Sequence, residues 1–180
     1  MFARTKRLTL RPGWPEETNA IMAAIVRESA ATLQAGLPCP HLSERAAAFL
    51  AVPHGATDAR FLILSHECGY PRIVGGIGLI AHAPDKAELA CWLMPAARGR
   101  GIASEAANAV IDMARHALPL RRLEANPHAG NVAALRLLAK LGFRNKGCSA
   151  AVPHGGGSAR VTLVLDFEAD SDPVRMPIAA

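Results

Sequence analysis

Aromatic side chains are scarce in this chain of 180 residues: five Phe, two Trp and a single Tyr, 4% in all. A core cannot be built on large rings, so Leu, Ile, Val and closely packed Ala must supply it, which favours helices laid tightly on a sheet. No stretch of 18 apolar residues occurs, which excludes a membrane-spanning helix. The basic N-terminal residues Arg4, Lys6 and Arg7 precede no apolar segment of the kind an export signal needs. The four cysteines, Cys39, Cys68, Cys91 and Cys148, have 28, 22 and 56 residues between them. That spacing gives neither the close pairs of a zinc site nor a small disulfide scaffold, and predicts reduced thiols and a cytoplasmic protein. The seven histidines show no ligand spacing, and no metal is expected. No block of five like charges appears despite a net charge of +5, so a dedicated nucleic-acid arm is not indicated and a small phosphorylated ligand suits the charge better.

What the chain does contain is a globular balance, 51% hydrophobic against 19% charged, at a length that fits one domain. A short strand over residues 7–11 ends at Pro12-Gly13. A helix follows from Pro15-Glu16-Glu17, its apolar face Ile21, Ala24 and Ile25, and a second, shorter helix runs from Ser43 to about residue 51. Strands over 60–65, 73–81 and 86–94, separated by Gly69-Tyr70-Pro71 and Ala83-Pro84-Asp85, read as an antiparallel meander. Residues 101–117 carry apolar side chains at 102, 103, 106, 109, 110, 113, 114 and 117, the period of a half-buried helix. A strand over 120–126, a helix over 131–141 ending at Gly142, and strands over 143–150 and 159–167 complete the order β-α-α-β-β-β-α-β-α-β-β. This predicts one α/β (α+β) domain over residues 1–168, a mixed twisted sheet of about seven strands with about four helices, and a polar tail over 169–180. The pentapeptide Ala51-Val52-Pro53-His54-Gly55 recurs at residues 151–155, but its flanks do not, so it marks two similar loop-to-strand entries and not a duplicated domain.

The chemically informative stretch is strand, glycine-rich turn, helix: Glu88 to Met94, Pro95-Ala96-Ala97, then Arg98-Gly99-Arg100-Gly101-Ile102-Ala103. The first turn of a helix has main-chain N–H groups without intrahelical partners, and the macrodipole adds about half a positive charge. Glycines at 99 and 101 let the backbone approach an anion, and Arg98 and Arg100 can add charge from the rim. The same residues are also compatible with a plain tight turn bearing solvated arginines. No G-x-x-x-x-G-K-S/T occurs. The one G-x-G-x-x-A match, Gly76-Ile77-Gly78-Leu79-Ile80-Ala81, lies inside an apolar strand where a dinucleotide fingerprint would have to open a helix. Its glycines mark a bulge or a close backbone approach instead.

Arg98-Gly99-Arg100-Gly101-Ile102-Ala103 fits the Q/R-x-x-G-x-G/A signature and so resembles the GNAT superfamily of N-acetyltransferases. Leu123-Glu124-Ala125-Asn126 and the helix Asn131-Val132-Ala133-Ala134-Leu135-Arg136-Leu137-Leu138-Ala139-Lys140-Leu141-Gly142-Phe143 resemble the RimJ/RimL-like branch, which acetylates ribosomal-protein N-termini. Lys6 to Pro12 and the Glu-Leu-x-x-Trp-Leu strand are similar to that branch too, so the resemblance spans about residues 6–167. Two positions depart from it: Ala134 replaces a usual serine, and Leu138 stands where many members carry a tyrosine acid.

The resemblance implies acetyl-coenzyme A as acyl donor and a primary amine as acceptor, either a protein N-terminus or a small molecule, with dimerisation as a family expectation. It implies that Arg98, Gly99, Arg100, Gly101, Ile102 and Ala103 cradle the diphosphate, and that the strand edge pairs with the pantetheine arm. A main-chain N–H near Leu93 or Met94 would face the thioester oxygen. Asn131 would hydrogen-bond the donor, and equally reads as a helix N-cap. Glu88 and Glu124, on two strands expected to splay, are the candidate bases, although each alone is also at home as a surface carboxylate. His128 is a further loop candidate, and Cys91 reads as a small core residue. Acceptor choice is expected from the first two helices, the loop at residues 38–41 and the loop at residues 153–158. Two other classes stay open: a non-catalytic acyl-CoA-binding or regulatory module, and an RNA- or ribosome-associated binder whose affinity would depend strongly on salt.

Overall fold

The alternating buried Leu8 and Leu10 of the first long strand set the pattern: one row of side chains faces a helix layer and the next row the opposite side of a sheet. A computed structural model describes residues 2–17, 19, 21–23, 59–67, 69–149 and 159–167. Its strands are β1 (Ala3–Arg4), β2 (Leu8–Arg11), β3 (Ala59–Ser65), β4 (Arg72–Ala83), β5 (Lys86–Leu93), β6 (Arg122–Ala125), β7 (Arg144–Ser149) and β8 (Arg160–Asp166). The helices are α1 (Ile102–Ala117) and α2 (Val132–Lys140), with 3-10 turns at Pro15–Glu17 and Pro95–Ala97. The eight strands form one sheet in the order β1-β2-β3-β4-β5-β6-β8-β7. The expected meander is β3-β4-β5, and every neighbouring pair is antiparallel except β5 and β6.

The strand beyond the expected seven is β1, which pairs Ala3 with Leu10 and Arg4 with Thr9. Two residues show no period in a sequence. The chain turns there because the Thr5 N–H donates to Leu8 O at 2.9 Å while the Thr5 hydroxyl accepts from Leu8 N–H at 3.0 Å. Of the first expected helix, residues 15–17 form a 3-10 turn and residues 21–23 are helical. The rest of it, the second helix, the loops at 38–41 and 153–158, and the tail lie outside the described residues.

The core is aliphatic, as the composition requires. Its largest fully buried side chains are Leu8, Leu10, Leu62, Ile63, Ile77, Leu79, Ile102, Leu123 and Val110. Helix α1 buries Ile102, Ala106, Ala107, Val110, Ile111 and Ala114 against one face of the sheet. The buried stripe is rotated from the one read in the sequence: Ala107 and Ile111 are inside, and Ala117 is exposed. Small side chains at 106, 107 and 114 let the helix axis approach the strands. On the other face Leu62, Leu64, Trp92 and Met94 pack around Ile21.

The glycines of β4 are close-approach positions. A Cβ on Gly78 would lie 2.8 Å from Ala59 O, and one on Gly75 would lie 2.3 Å from Trp92 O. Between β3 and β4 the register shifts at Ile63/Leu64, because Val74 is an extra residue on β4. A second shift, between Ala81 and Ala83, leaves His82 opposite no residue of β5.

Candidate active site

Strand β5 pairs with β6 only through Lys86 with Arg122, Ala87 with Leu123 and Glu88 with Glu124, and its residues 89–93 continue paired with β4 but not with β6. The cause is on β6. Asn126 is followed by Pro127, which has no N–H to offer a ladder. Beyond that point the chain follows β8: Pro127 O accepts from Val161 N–H at 3.0 Å, and the Ala129 N–H donates to Ala159 O at 2.9 Å. Arg160 Nη1 reaches Asn126 O at 3.1 Å, and the Thr162 hydroxyl donates to Asn126 Oδ1 at 2.9 Å. The two central strands therefore diverge into a wedge with one edge of β5 lining it.

The edge has a definite donor pattern. The Met94 N–H donates to Val74 O at 2.9 Å, so it points toward β4. Successive N–H groups of a strand alternate sides, so those of Cys91 and Leu93 point into the wedge. This corrects one expectation: Met94 N–H is not available to face a thioester oxygen, because Val74 O, opposite it in the continued β4–β5 register, already accepts it. The Leu93 carbonyl accepts from Arg98 Nε at 3.2 Å.

After the 3-10 turn at Pro95–Ala97, the Arg98 N–H closes on Pro95 O at 3.1 Å. Gly99 and Gly101 then take φ of 72° and 76°. Both conformations are the left-handed ones that a side chain disfavours, which is why glycine stands there. Gly101 is the N-cap of α1 and supplies no side-chain cap. Among the described residues no acceptor serves the N–H groups of residues 99–104; the first intrahelical bond of α1 runs from Glu105 N to Gly101 O, 3.0 Å. Residues 98–101 are exposed, Ile102 is buried beneath them, and Ala103 is half-buried. The corner is neither covered by side chains nor turned into another layer.

A carboxylate in the first turn of α1 would oppose an anion bound there, and Glu105 is one. It is tied back. Glu105 Oε1 accepts from the Thr5 hydroxyl at 2.5 Å and from Arg7 N–H at 3.0 Å, and Oε2 accepts from Arg7 Nε at 2.8 Å. Burial pushes the Glu105 carboxyl up, but the Thr5 hydroxyl and the Arg7 main-chain and guanidinium donors outweigh it and hold it below its ordinary value. Arg7 also donates to Arg100 O at 3.2 Å and reaches Glu67 at 3.1 Å, and Glu67 in turn holds Arg100 at 2.9 Å. Thr5, Arg7 and Glu67 thus back the cradle and fix the rim arginine. Sequence reasoning missed all three, since they lie in the β1–β2 and β3–β4 turns with no local spacing to link them to residue 100.

Glu88 and Glu124 are Cα partners in a parallel pair, so their side chains leave the same face, about 4.8 Å apart at the backbone. That face is the one opposite α1, which carries Trp92. The register brings the two candidate bases together at the root of the wedge. His82 joins them: its Nε2 lies 3.5 Å from Glu124 Oε2. Asn131 caps α2 through Oδ1, which accepts from Ala134 N–H at 3.1 Å; this leaves its amide N–H groups for a ligand. Leu138 is buried in the core, and Tyr70 is exposed in the turn before β4, ten residues along the strand from the partner of Glu88. No tyrosine reaches the wedge. His128 forms an isolated bridge with Arg160, and Cys91 packs beside the core on the α1 face, as a small apolar residue would. Among the described residues no group of His, Cys, Asp or Glu is arranged to hold a metal. None of the helices among them is long and apolar enough to cross a membrane.

Among the described residues, a mixed sheet with one parallel pair, opening beside a glycine-started helix without a side-chain cap, defines an α/β domain. Residues 7–144 match the acetyltransferase (GNAT) domain model, and the chain belongs to that family. A probable N-acetyltransferase of Bacillus subtilis (strain 168), YjcK, is 37% identical over 79 residues, covering 42% of this chain and 44% of the relative. The chain therefore matches less than half the length of that curated relative. Among solved structures, RimL, a ribosomal L7/L12 alpha-N-protein acetyltransferase in complex with coenzyme A, shares the fold with a TM-score of 0.73 at 17% identity, over 94% of this chain and 100% of the other. The microcin C7 self-immunity acetyltransferase MccE, in complex with acetyl-CoA and AMP, gives a TM-score of 0.69 at 16% identity over 91% and 94%.

Proposed function

We propose that this protein transfers the acetyl group of acetyl-coenzyme A to a primary amine by direct attack on the thioester. The observation that carries the reading is the run of main-chain donors from Gly99 to Ser104, unpartnered among the described residues and set beside the wedge-facing edge of β5. The donors at residues 99–104 fit a diphosphate, with Arg98 and Arg100 at its rim. The edge at Cys91 and Leu93 fits the amide-bearing pantetheine arm, and Leu93 N–H is the donor for charge developing on the thioester oxygen. Asn131 offers its amide from the far side of the wedge. Glu88 is the general base, taking a proton from the acceptor ammonium directly or through water, with Glu124 beside it. A thiolate leaving group with an ordinary pKa of about 8.5 can take up its proton from water, so the absence of a tyrosine acid is tolerated.

The pattern of residues 123–143 favours the RimJ/RimL-like branch, and with it a protein N-terminus as acceptor; the likeness to RimL in fold is consistent with this. A second reading, an acyl-CoA-binding module without turnover, draws on the buried Leu138. Calorimetric titration with acetyl-CoA, followed by thiol release against N-terminal peptides, polyamines and aminoglycosides, decides between them. Binding with thiol release on an amine supports transfer. Binding with no release on any amine supports the module, and no binding refutes both.

A further inference from the structure

The bulge at His82 has no part in the donor site, yet it changes what the root of the wedge can do. Strands β4 and β6 flank β5, so a contact between His82 and Glu124 has to cross β5. It crosses on the face from which Glu88 projects, because Glu88 and Glu124 are register partners of a parallel pair. A regular β4 would place residue 82 opposite Lys86 or Ala87 and fix its direction by alternation. The extra residue between Ala81 and Ala83 frees it to lean over β5 instead. The neighbouring β6 is held at this level by Asp85 O, which accepts the N–H groups of Arg121 and Arg122 at 2.8 and 3.2 Å.

The charges around the contact leave the imidazole a distinct role. Arg122, two residues before Glu124 on the same face, is committed to Asp166 at 2.5 Å. Lys86, Asp85 and Glu88 are the other charged groups at this corner. His82 is the one described cation-forming side chain within 4 Å of a Glu124 oxygen. Its side chain is 42% exposed, that of Glu124 23%. Glu88 and Glu124 are level partners of the register, and His82, the more exposed group, lies against Glu124.

We propose that His82 is the outer member of a proton relay that discharges the carboxylate pair Glu88 and Glu124 to solvent during turnover. This rests on the acetyltransfer reading. In that reaction an ammonium and the thioester give an amide, free thiol and one proton. The attacking amine loses one proton to Glu88 and a second that ends on the departing sulfur. The first has to leave before Glu88 can act again, and Glu124, its register partner on the same face, is placed to take it. His82 Nε2 accepts it from Glu124 and yields it to water, returning as a neutral imidazole. His82 touches neither substrate in this scheme; it acts through Glu124 and is a positioning and relay residue.

The test uses His82→Ala and His82→Asn in the full chain, with His116→Asn as control, since His116 lies on the exposed side of α1 and bonds only Asp112 O there. In dilute buffer, His82→Ala is expected to lower kcat about tenfold or more, within the range of a lost acid–base group. The affinity for acetyl-CoA and the acceptor KM should stay within about twofold, and added imidazole should restore the rate in a concentration-dependent way. Asparagine, which keeps a hydrogen-bonding side chain but cannot take up and release a proton, should be as slow as alanine and equally rescued. Unchanged kcat in His82→Ala overturns the relay, as does a loss that asparagine repairs and imidazole does not, which would mark a structural contact. Wild-type protein that binds acetyl-CoA but releases no thiol with any amine overturns the acetyltransfer reading and the relay together, a result distinct from an active wild type with an indifferent His82.

Discussion

Gly75→Ala is the sharpest test of how the strand edge is held. A methyl group there would sit 2.3 Å from Trp92 O and 2.6 Å from Leu93 Cδ2, where ordinary contact begins at 3.4 Å. The shortfall against Trp92 O is 3.4 − 2.3, about 1.1 Å, and the obstacle is main chain, which cannot swing aside as a side chain does. β4 and β5 must part at the position from which Leu93 N–H faces the wedge. Overpacking of this kind costs about 1–3 kcal/mol, offset by about 0.4–1 kcal/mol from the stiffer unfolded chain. A net loss near the upper half of that range, about 2 kcal/mol, lowers Tm by roughly 4–8 °C in a domain of this size. The effect on catalysis is larger, because misdirecting a donor to the developing oxyanion costs about 10²–10³-fold in kcat. The diphosphate cradle begins five residues after the disturbed carbonyl-bearing strand segment and keeps its own turn, so acetyl-CoA affinity should change by no more than about threefold. Thermal unfolding, calorimetry and thiol release measure the three quantities separately. A Gly75→Ala protein with wild-type Tm and kcat would refute both the tight register at Gly75 and the assignment of Leu93 as the donor.

Gly101→Ala keeps steric room, the nearest atom to the new methyl being Arg7 Nη2 at 3.5 Å, but forces alanine to φ of 76°. About 1–2 kcal/mol of strain follows, and acetyl-CoA affinity measured by calorimetry should fall about tenfold as the turn relaxes and its N–H groups diverge. Acid titration tests the ties at Glu17 and Glu105. Hydrogen bonds from Arg11 hold the Glu17 carboxyl below its ordinary 4.5, and Glu105 is held low as described. Both groups bind protons less readily folded than unfolded, so their contribution is complete above about pH 4.5 and is lost as pH falls through the depressed folded values. Urea midpoints of Glu17→Gln and Glu105→Gln should accordingly lie below wild type at pH 7 and converge on it toward pH 3. Leu138→Tyr, at the family's tyrosine position, should lose about 1–3 kcal/mol by overpacking a buried site and gain nothing in kcat, which unfolding and thiol-release assays check together.

How far the sequence was legible follows from the range of the forces involved. Helix α1 has a 3.6-residue period over four turns, and α2 carries its own cap at Asn131, so local signals sufficed. The turn at Gly99 and Gly101 was visible because a positive φ demands glycine, and the demand is written at that residue. The backing of the cradle was not. Arg7 and Glu105 stand 98 residues apart and meet only because β2 lies under the start of α1. The bulges were equally silent: Val74 and His82 are extra residues only relative to a partner strand, and nothing in β4 read alone distinguishes them from their neighbours.

The wedge itself shows how a single parallel pair turns a stable sheet into a site. Where two strands stay paired, the ladder consumes the edge between them, and directly opposed carboxylates repel. Here the parallel pairing lasts three residues, while β6 stays paired with β8 through Ala125 and the chain continues beside β8 at Pro127. The last register pair is Glu88 with Glu124, so the point where main-chain donors become available is also the point where two carboxylates share a face. On the proposed reading, binding and proton removal are coupled through one break in the ladder. If Pro127 is what ends the pairing, Pro127→Ala, which restores an N–H, should extend β5–β6 protection in hydrogen exchange to residues beyond 89 and weaken acetyl-CoA binding together. An extension without loss of binding would separate the wedge from the site.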